Sequence, residues 1–173
     1  GSKLSLRPAA LGWALVAAFT GSLCLGAENG KADLARRIIE KTGVKKGICL
    51  DIGCGAAALA LEIARNSELQ AICLDPDEKT VDAARAAADK AGLYGKGMTA
   101  AKGSFSRLAY PDYCGNLIIC GDEFIAGRRE RDFKEMRRLL NPNGALFIGQ
   151  SAEAGKRGQK LERAQLESWL KEA

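Results

Sequence analysis

The sequence predicts an α/β fold, in which an open sheet of parallel strands lies between two layers of helices. From residue 32 onward, short apolar runs that suit buried strands alternate with stretches in which apolar residues recur at helical spacing. A turn containing Gly53 and Gly55 joins the first of these strands to the helix after it. A repeated strand-helix-strand order requires parallel pairing with right-handed crossovers, so a three-layer arrangement follows.

Each element has its own local signal. Strands are predicted where apolar residues run between turn residues, at residues 48–52, 71–74, 98–101 and 117–120, with a fifth strand within residues 139–148. Helices are predicted before, between and after these strands, at residues 32–41, 57–65 and 78–91, with another near residues 133–140. Gly43 and Gly92 follow two helix ends, as left-handed caps do, and Asp77 is a candidate N-cap.

The glycine turn and the carboxylate that ends the next strand together predict a nucleotide-type ligand site. Gly53 and Gly55 allow a tight turn and the close approach of a ligand, which is expected at the carboxyl end of the strand. Asp75 can accept hydrogen bonds from both hydroxyls of an adenosine ribose. The spacing Gly53-x-Gly55-x-x-Ala58 alone also fits a nicotinamide dinucleotide site. Asp51 favours a cationic ligand instead, because a carboxylate beside the turn repels a pyrophosphate.

The segment Asp51-Ile52-Gly53-Cys54-Gly55-Ala56-Ala57 resembles the first motif of the class I S-adenosylmethionine-dependent methyltransferases, which has the form acidic-x-Gly-x-Gly-x-Gly. The resemblance extends over roughly residues 32–173, and residues 139–148 are similar to the end of the family's helix, its Pro-Gly-type turn and its fifth strand. It implies a Rossmann-like methyltransferase sheet in the order 3-2-1-4-5. The family's closing hairpin is not expected within residues 32–173, so the fifth strand is expected to be an exposed edge.

The resemblance also implies S-adenosyl-L-methionine as the cofactor and a small molecule as the methyl acceptor. Cofactor contacts are expected from the glycine turn, the tip of the second strand and the segment after the third strand, at Asp51, Gly53, Cys54, Gly55, Asp75, Pro76, Ser104 and Phe105. Asp122 and Glu123, just beyond the fourth strand, are the nearest candidates for a catalytic base. Capping or loop hydrogen bonding is the alternative for both of these carboxylates.

Composition limits the number of domains and the available chemistry. A chain of 173 residues with 47% hydrophobic content predicts a single domain with a sizeable core. The absence of histidine excludes Ser-His and Cys-His nucleophile pairs, and the cysteines lack a CxxC pairing, so no metal site is predicted. The net charge is +5, and the densest basic stretch, residues 128–138, is interleaved with acidic residues such as Glu135. That pattern is typical of a solvated helix face, so no nucleic-acid partner is expected.

The first 27 residues predict a segment separate from the domain at residues 28–173. Gly1-Ser2 is typical of a cloning scar, and Lys3 and Arg7 precede an uncharged, mostly apolar stretch that ends at Ala27. A basic start, an apolar middle and small closing residues indicate a signal peptide or an amino-terminal membrane anchor. The protein is therefore expected to be exported or membrane-anchored through this segment. A cap helix on a cytoplasmic enzyme is the alternative, and a further domain is expected after Ala173.

Three functions from different classes fit these patterns. The first is methyl transfer from S-adenosyl-L-methionine to a small acceptor. The second is a catalytically silent, exported domain of the same fold, which serves as a binding or assembly module in a larger protein. Two departures from the family pattern, Ala57 for the third turn glycine and Ser104 for an acidic residue, are consistent with it. The third is a nicotinamide-dependent oxidoreductase, which Asp51 disfavours.

Overall fold

The computed structural model describes residues 15–19, 29–121 and 130–149, together with Ala164 and Ser168. Within these residues the elements follow one another as β1 (Leu15–Phe19), α1 (Asn29–Thr42), β2 (Lys46–Ile52), α2 (Ala58–Asn66), β3 (Glu68–Asp75), α3 (Glu78–Lys90), β4 (Met98–Lys102), β5 (Gly115–Cys120), α4 (Glu130–Leu139) and β6 (Leu140–Gly149). All pairings between the strands are parallel. The predicted α/β class is therefore confirmed.

The sheet order is β1-β6-β5-β2-β3-β4. Counted from β2, the first strand after α1, this is the predicted order 3-2-1-4-5 with β1 added beside β6. The order reverses at β2, since the chain passes first to β3 on one side and later to β5 on the other. In open parallel sheets a ligand binds at such a reversal, in the crevice at the carboxyl ends of the strands.

Helices cover both faces of the sheet, as predicted. On one face, side chains of α4 such as Met136 pack against Leu50, Ile118 and their neighbours in a single apolar cluster. On the other face, α1, α2 and α3 contribute Ile38, Ile63 and Val81 to two further clusters. Burial of each large aliphatic side chain stabilises the fold by about 1.5–3 kcal/mol. Alternate residues of the central strands thus face opposite clusters, which holds the carboxyl ends of β2 and β3 in one place.

The boundary between α4 and β6 differs from the prediction. Leu140 was expected on the helix, but α4 ends at Leu139 and Leu140 begins β6, where it pairs with Gly115. The pairing then advances from Gly115 to Leu117 on β5 and from Leu140 to Ala145 on β6, so the predicted Pro-Gly-type turn becomes an irregularity within a strand. A Cβ added at Gly144 would lie 2.9 Å from two carbonyl oxygens, which explains the glycine there.

The edge of β6 is covered by β1, contrary to the expectation of an exposed fifth strand. Leu15 pairs with Ala145 and Phe19 with Gly149 along the whole length of β1. This strand lies inside the segment expected to direct export. Residues 1–14 and 20–27, the rest of that segment, lie outside the described residues. None of the helices in the described part of the chain is long and apolar enough to cross a membrane. Export or anchoring, with a cytoplasmic location as the alternative, stays a prediction.

Deleting residues 3–27 is expected to lower the melting temperature by about 2–8 °C. The deletion removes β1 and leaves backbone N–H and C=O groups of β6 without strand partners. A loss of about 1–2 kcal/mol corresponds to a shift of that size in a domain of this length. Ala17→Pro and Ala18→Pro each remove one N–H group from β1, and the variant at the position whose N–H faces β6 should reproduce part of the shift. Unchanged cooperative unfolding of the deletion variant would show that the segment is dispensable, as expected for an export signal.

Candidate functional site

The turn between β2 and α2 is built from three residues with left-handed backbone angles. Gly53, Gly55 and Ala57 have φ values of 76°, 52° and 57°. The Gly53 N–H donates to the Leu74 carbonyl at 2.9 Å, which attaches the turn to the end of β3. Ala57 N–H closes the turn by donating to the Cys54 carbonyl at 2.8 Å. The predicted glycine turn is thus present, and it bends at the carboxyl edge of the sheet.

Space is open directly above this turn. A Cβ built on Gly55 meets no atom of the described residues within 4 Å. Ala57 occupies the N-cap position of α2 without a side-chain hydrogen bond to the helix, so no side chain caps the first N–H groups of α2. The turn therefore presents backbone rather than side chains to a ligand, as expected for close approach.

Replacing Ala57 by glycine is expected to stabilise the protein by up to about 1 kcal/mol. A left-handed conformation costs an L-residue about 1–2 kcal/mol, and glycine avoids this cost but loses about 0.5–1 kcal/mol more chain entropy on folding. Ala57 is fully buried, so the gain also depends on the loss of one packed methyl group. Chemical denaturation of both proteins measures the difference. A loss of more than about 1 kcal/mol would show that methyl packing outweighs backbone strain.

Two buried carboxylates lie beside the turn. Asp51 is 5% exposed and Asp75 is 6% exposed. Asp51 is in register with Cys73, so Asp75 stands one pleat further along β3 on the same face of the sheet. Asp75 Oδ1 accepts the Asp77 N–H at 3.0 Å. No hydrogen bond or ion pair to the Asp51 side chain occurs among the described residues, which is unusual for a buried carboxylate.

Burial raises the pKa of Asp51 to about 7, while Lys31 lowers it and Asp75 raises it further. The first of these effects is desolvation, which penalises the charged form of the carboxylate. A cationic ligand beside Asp51 would remove part of this penalty by pairing with the charge. The Asp51 carboxylate can therefore form an ion pair with a positive group of a ligand, and the turn leaves space in which such a group can lie.

Cys54 belongs to the turn and packs against the cluster that contains Cys73. A hydrogen bond with Cys54, together with burial, raises the pKa of Cys73, so its thiol stays protonated at neutral pH. Neither a thiolate nucleophile nor a metal-ligating thiolate is favoured at that position. The described residues also contain no group of three or more Cys, Asp or Glu side chains that could hold a metal ion.

The segment after β4 forms a second wall of the site. Lys102 pairs with Asp75, and the Gly103 N–H donates to the Asp75 carbonyl at 3.0 Å. Ser104 is exposed one residue further along, where its hydroxyl lies 3.1 Å from that of Ser106. Phe105, which is also expected to contact the cofactor, is 7% exposed and packs in the apolar cluster that contains Leu108. Its contact with the cofactor stays a prediction. Its side chain supports this wall from the core.

The predicted residues divide into those that meet at the turn and those that do not. Asp51, Asp75 and the residues Gly53, Cys54 and Gly55 meet at the carboxyl ends of β2 and β3, and exposed Pro76 follows directly. Asp122 and Glu123 lie outside the described residues. The described residue directly before them is Gly121, where an added Cβ would lie 3.9 Å from the Gly53 carbonyl oxygen.

Sequence reasoning missed the parts played by three residues, Lys31, Glu135 and Arg138. Lys31 on α1 affects Asp51 electrostatically, and nothing in the sequence links these positions. Glu135 and Arg138 on α4 were assigned to a solvated helix face, but Glu135 is 8% exposed and accepts hydrogen bonds from Arg138. Their spacing of three residues is the one available signal, and it does not distinguish a surface pair from one that holds a loop.

Comparison with known proteins agrees with this geometry. A family profile described as methyltransferase domain matches residues 49–144, more than half of the chain. The sterol 24-C-methyltransferase erg6 of Aspergillus fumigatus is 28% identical over 113 residues, which are 64% of this chain and 30% of that protein. The chain therefore spans less than a third of that relative's length.

Solved structures share the fold. A candidate S-adenosyl-L-methionine-dependent methyltransferase from Methanococcus maripaludis has a TM-score of 0.71 and 21% identity, covering 80% of this chain and 72% of its own. An S-adenosylmethionine-dependent methyltransferase from Aquifex aeolicus has a TM-score of 0.66 and 18% identity, covering 80% and 77%. With the matched residues 49–144, the glycine turn and the sheet order, the chain belongs to the methyltransferase-domain family, the class I S-adenosyl-L-methionine-dependent methyltransferases.

Proposed function

We propose that this domain binds S-adenosyl-L-methionine across the ends of β2 and β3 and transfers its methyl group to a small-molecule acceptor. The observation that carries the proposal is the pair of buried carboxylates, Asp51 and Asp75, on one face of the sheet beside a turn with open space. A ligand with both a ribose diol and cationic groups fits this pair. A dinucleotide does not, since its pyrophosphate would face Asp51.

Each residue has a defined part in this proposal. Asp75 can accept hydrogen bonds from both ribose hydroxyls, because the Asp77 N–H occupies only one of the lone pairs of its carboxylate, on Oδ1. Asp51 supplies a negative charge to the cationic methionine portion, and Gly53 and Gly55 allow the backbone to lie against the ligand. Bound S-adenosyl-L-methionine supplies a methyl group on a sulfonium, which is already an activated donor. The protein then holds donor and acceptor in line and excludes water.

The acceptor is proposed to be a small molecule, in keeping with the sterol named for the Aspergillus relative. Asp122 and Glu123 remain the candidates for a base, which is needed only if the acceptor loses a proton with a high pKa. Asp122 follows Gly121, where an added Cβ would lie 3.9 Å from the Gly53 carbonyl oxygen. Asp122→Asn and Glu123→Gln, measured separately, should lower the rate without changing cofactor affinity if either residue acts as the base.

Calorimetry tests the binding step. S-adenosyl-L-methionine and its demethylated product, S-adenosylhomocysteine, are expected to bind, and NAD is expected not to bind. Glu68→Gln is the control for variants of Asp75, because Glu68 is exposed at the opposite end of β3. Tighter binding of NAD than of both adenosyl ligands would contradict the proposal and return the protein to the oxidoreductase class.

Turnover separates catalysis from silent binding. Formation of S-adenosylhomocysteine should be followed with a panel of small acceptors that includes a sterol and small thiols, amines and carboxylates. Turnover above about 1 per second is ordinary for an enzyme. Binding without turnover on the whole panel would favour the silent, exported module as the function, with Ala57 and Ser104 as the first positions to restore to the family's glycine and acidic residue.

A further inference from the structure

One residue of α4, Arg138, holds the loop that follows β4. Its Nη1 donates to the Tyr110 carbonyl at 2.9 Å and to the Asp112 carboxylate at 2.6 Å. Its Nη2 donates to the Leu108 carbonyl at 3.1 Å. The Arg138 carbonyl accepts the Tyr113 N–H at 2.9 Å, so the backbone of α4 is attached to the same loop. Two nitrogens of the Arg138 guanidinium group thus make three hydrogen bonds to this loop, which contains no helix or strand.

Glu135 completes this cluster from inside the protein. Its Oε1 accepts the Leu108 N–H at 2.7 Å and the Arg138 Nη2 at 2.6 Å, and its Oε2 accepts the Arg138 Nε at 2.9 Å. Both backbone polar groups of Leu108 are therefore held by the pair. A bidentate arginine-carboxylate pair has a fixed geometry, unlike a single ion pair between flexible side chains. The pair thus defines where Leu108 lies.

Leu108 connects the Glu135–Arg138 pair to the candidate cofactor site. Its side chain is buried and lies so close to Gly103 that a Cβ added there would be 2.9 Å from Leu108 Cδ2. Gly103 in turn donates its N–H to the carbonyl of Asp75 at 3.0 Å. A continuous set of contacts therefore runs from Arg138 through Leu108 and Gly103 to the backbone of Asp75, whose carboxylate is proposed to hold the ribose.

We propose that Glu135 and Arg138 are positioning residues for the adenosine half of the cofactor, which they act on by holding the wall formed by residues 103–108. The proposal rests on the proposed function, since it requires an adenosyl ligand at Asp75. Neither residue touches the ligand in this arrangement. Their effect is to keep the wall in one position before binding, which reduces the ordering cost that the ligand must meet.

Arg138→Ala tests the proposal through ligand affinity. Residues along such a contact path typically change binding by about 3- to 30-fold. We expect the variant to bind S-adenosylhomocysteine about tenfold more weakly, and 5′-methylthioadenosine, which contains only the adenosine half, by the same factor. Arg138→Lys should recover little, because lysine cannot form the bidentate pair. Calorimetry well below the melting temperature of each variant measures the folded protein, so a change in stability alone leaves the affinities unchanged.

The matched control is Arg65→Ala. Arg65 forms an ion pair of 2.6 Å with Glu62 at the same spacing of three residues, on α2 and away from the loop. Its removal should leave both affinities unchanged. Asp112→Ala is the second test variant, because the Asp112 side chain is 61% exposed and its removal spares the buried Glu135 pair. It should weaken the binding of both ligands about two- to threefold, at the lower end of the range for such contacts.

The outcomes separate this inference from the proposed function. Folded Arg138→Ala or, if that variant does not fold, Asp112→Ala with unchanged affinity for both ligands would overturn the positioning role while leaving the proposed function intact. Weaker binding of S-adenosylhomocysteine with unchanged binding of 5′-methylthioadenosine would also overturn it, because the effect would then lie at the amino-acid half. Failure of the unaltered protein to bind any adenosyl ligand would overturn the proposed function and this inference together.

Discussion

Replacing Asp75 by alanine is expected to weaken the binding of S-adenosyl-L-methionine by about ten- to a hundredfold. The change removes charge-assisted hydrogen bonds to the ribose, which contribute about 1.5–3 kcal/mol. Isothermal titration of the variant and the unaltered protein measures the effect directly. Because Asp75 is buried, the stability of the variant must be measured alongside its affinity.

The stability change of this variant should be small. Alanine leaves the Asp77 N–H without its acceptor, which costs about 1 kcal/mol, but it also removes a buried charge. Asp75→Asn separates the two effects, since an amide oxygen can still accept the Asp77 N–H while the charge is lost. Cofactor affinity that survives unchanged in folded Asp75→Ala would assign this carboxylate a structural role at the end of β3.

The second large effect is a loss of stability as the pH rises, and Asp51 is its source. The pKa of Asp51 is raised by burial from 3.8 to about 7 in the folded protein. The folded state therefore holds a proton that the unfolded state has released between these two values. The stabilisation is fully present below about pH 3.8 and is lost as the pH rises to about 7. A shift of this size corresponds to a change on the order of 4 kcal/mol.

Asp51→Asn should remove this dependence. The amide is never charged, so the variant should be more stable than the unaltered protein at pH 8 and of similar stability near pH 4. Urea denaturation of both proteins across this range measures the difference. The comparison is needed because Glu135 acts with the opposite sign: the Arg138 hydrogen bond lowers the pKa of Glu135, so its stabilisation is lost at acidic pH. Parallel stability curves for the two proteins would show that Asp51 titrates normally.

The same titration predicts proton release on cofactor binding. A cationic ligand beside Asp51 favours the charged carboxylate and lowers its pKa, so a proton leaves when the ligand binds near pH 6.5. Affinity for S-adenosyl-L-methionine should accordingly increase as the pH rises toward about 7. Titration in buffers of different ionisation enthalpy measures the released proton. S-adenosylhomocysteine, which lacks the sulfonium charge, should release less.

Much of this protein was determined by local sequence patterns. The apolar runs of β2 and β5, the caps at Asp77 and Gly92 and the glycine turn each depend on a few adjacent residues. The strand order then follows from general rules for parallel sheets and from family resemblance. Asp51 and Asp75 were identifiable for the same reason, because each carboxylate stands at a fixed distance from the turn or from the end of a strand.

Other features depended on contacts between residues far apart in the chain. The pairing of β1 with β6 joins residues more than a hundred positions apart, and an apolar segment is equally compatible with a membrane signal. Glu135 has the pattern of a surface residue, but it is buried because Leu108 and the loop around it pack against α4. The raised pKa of Asp51 is set by desolvation, which depends on the surrounding elements that exclude water and cannot be read from neighbouring residues.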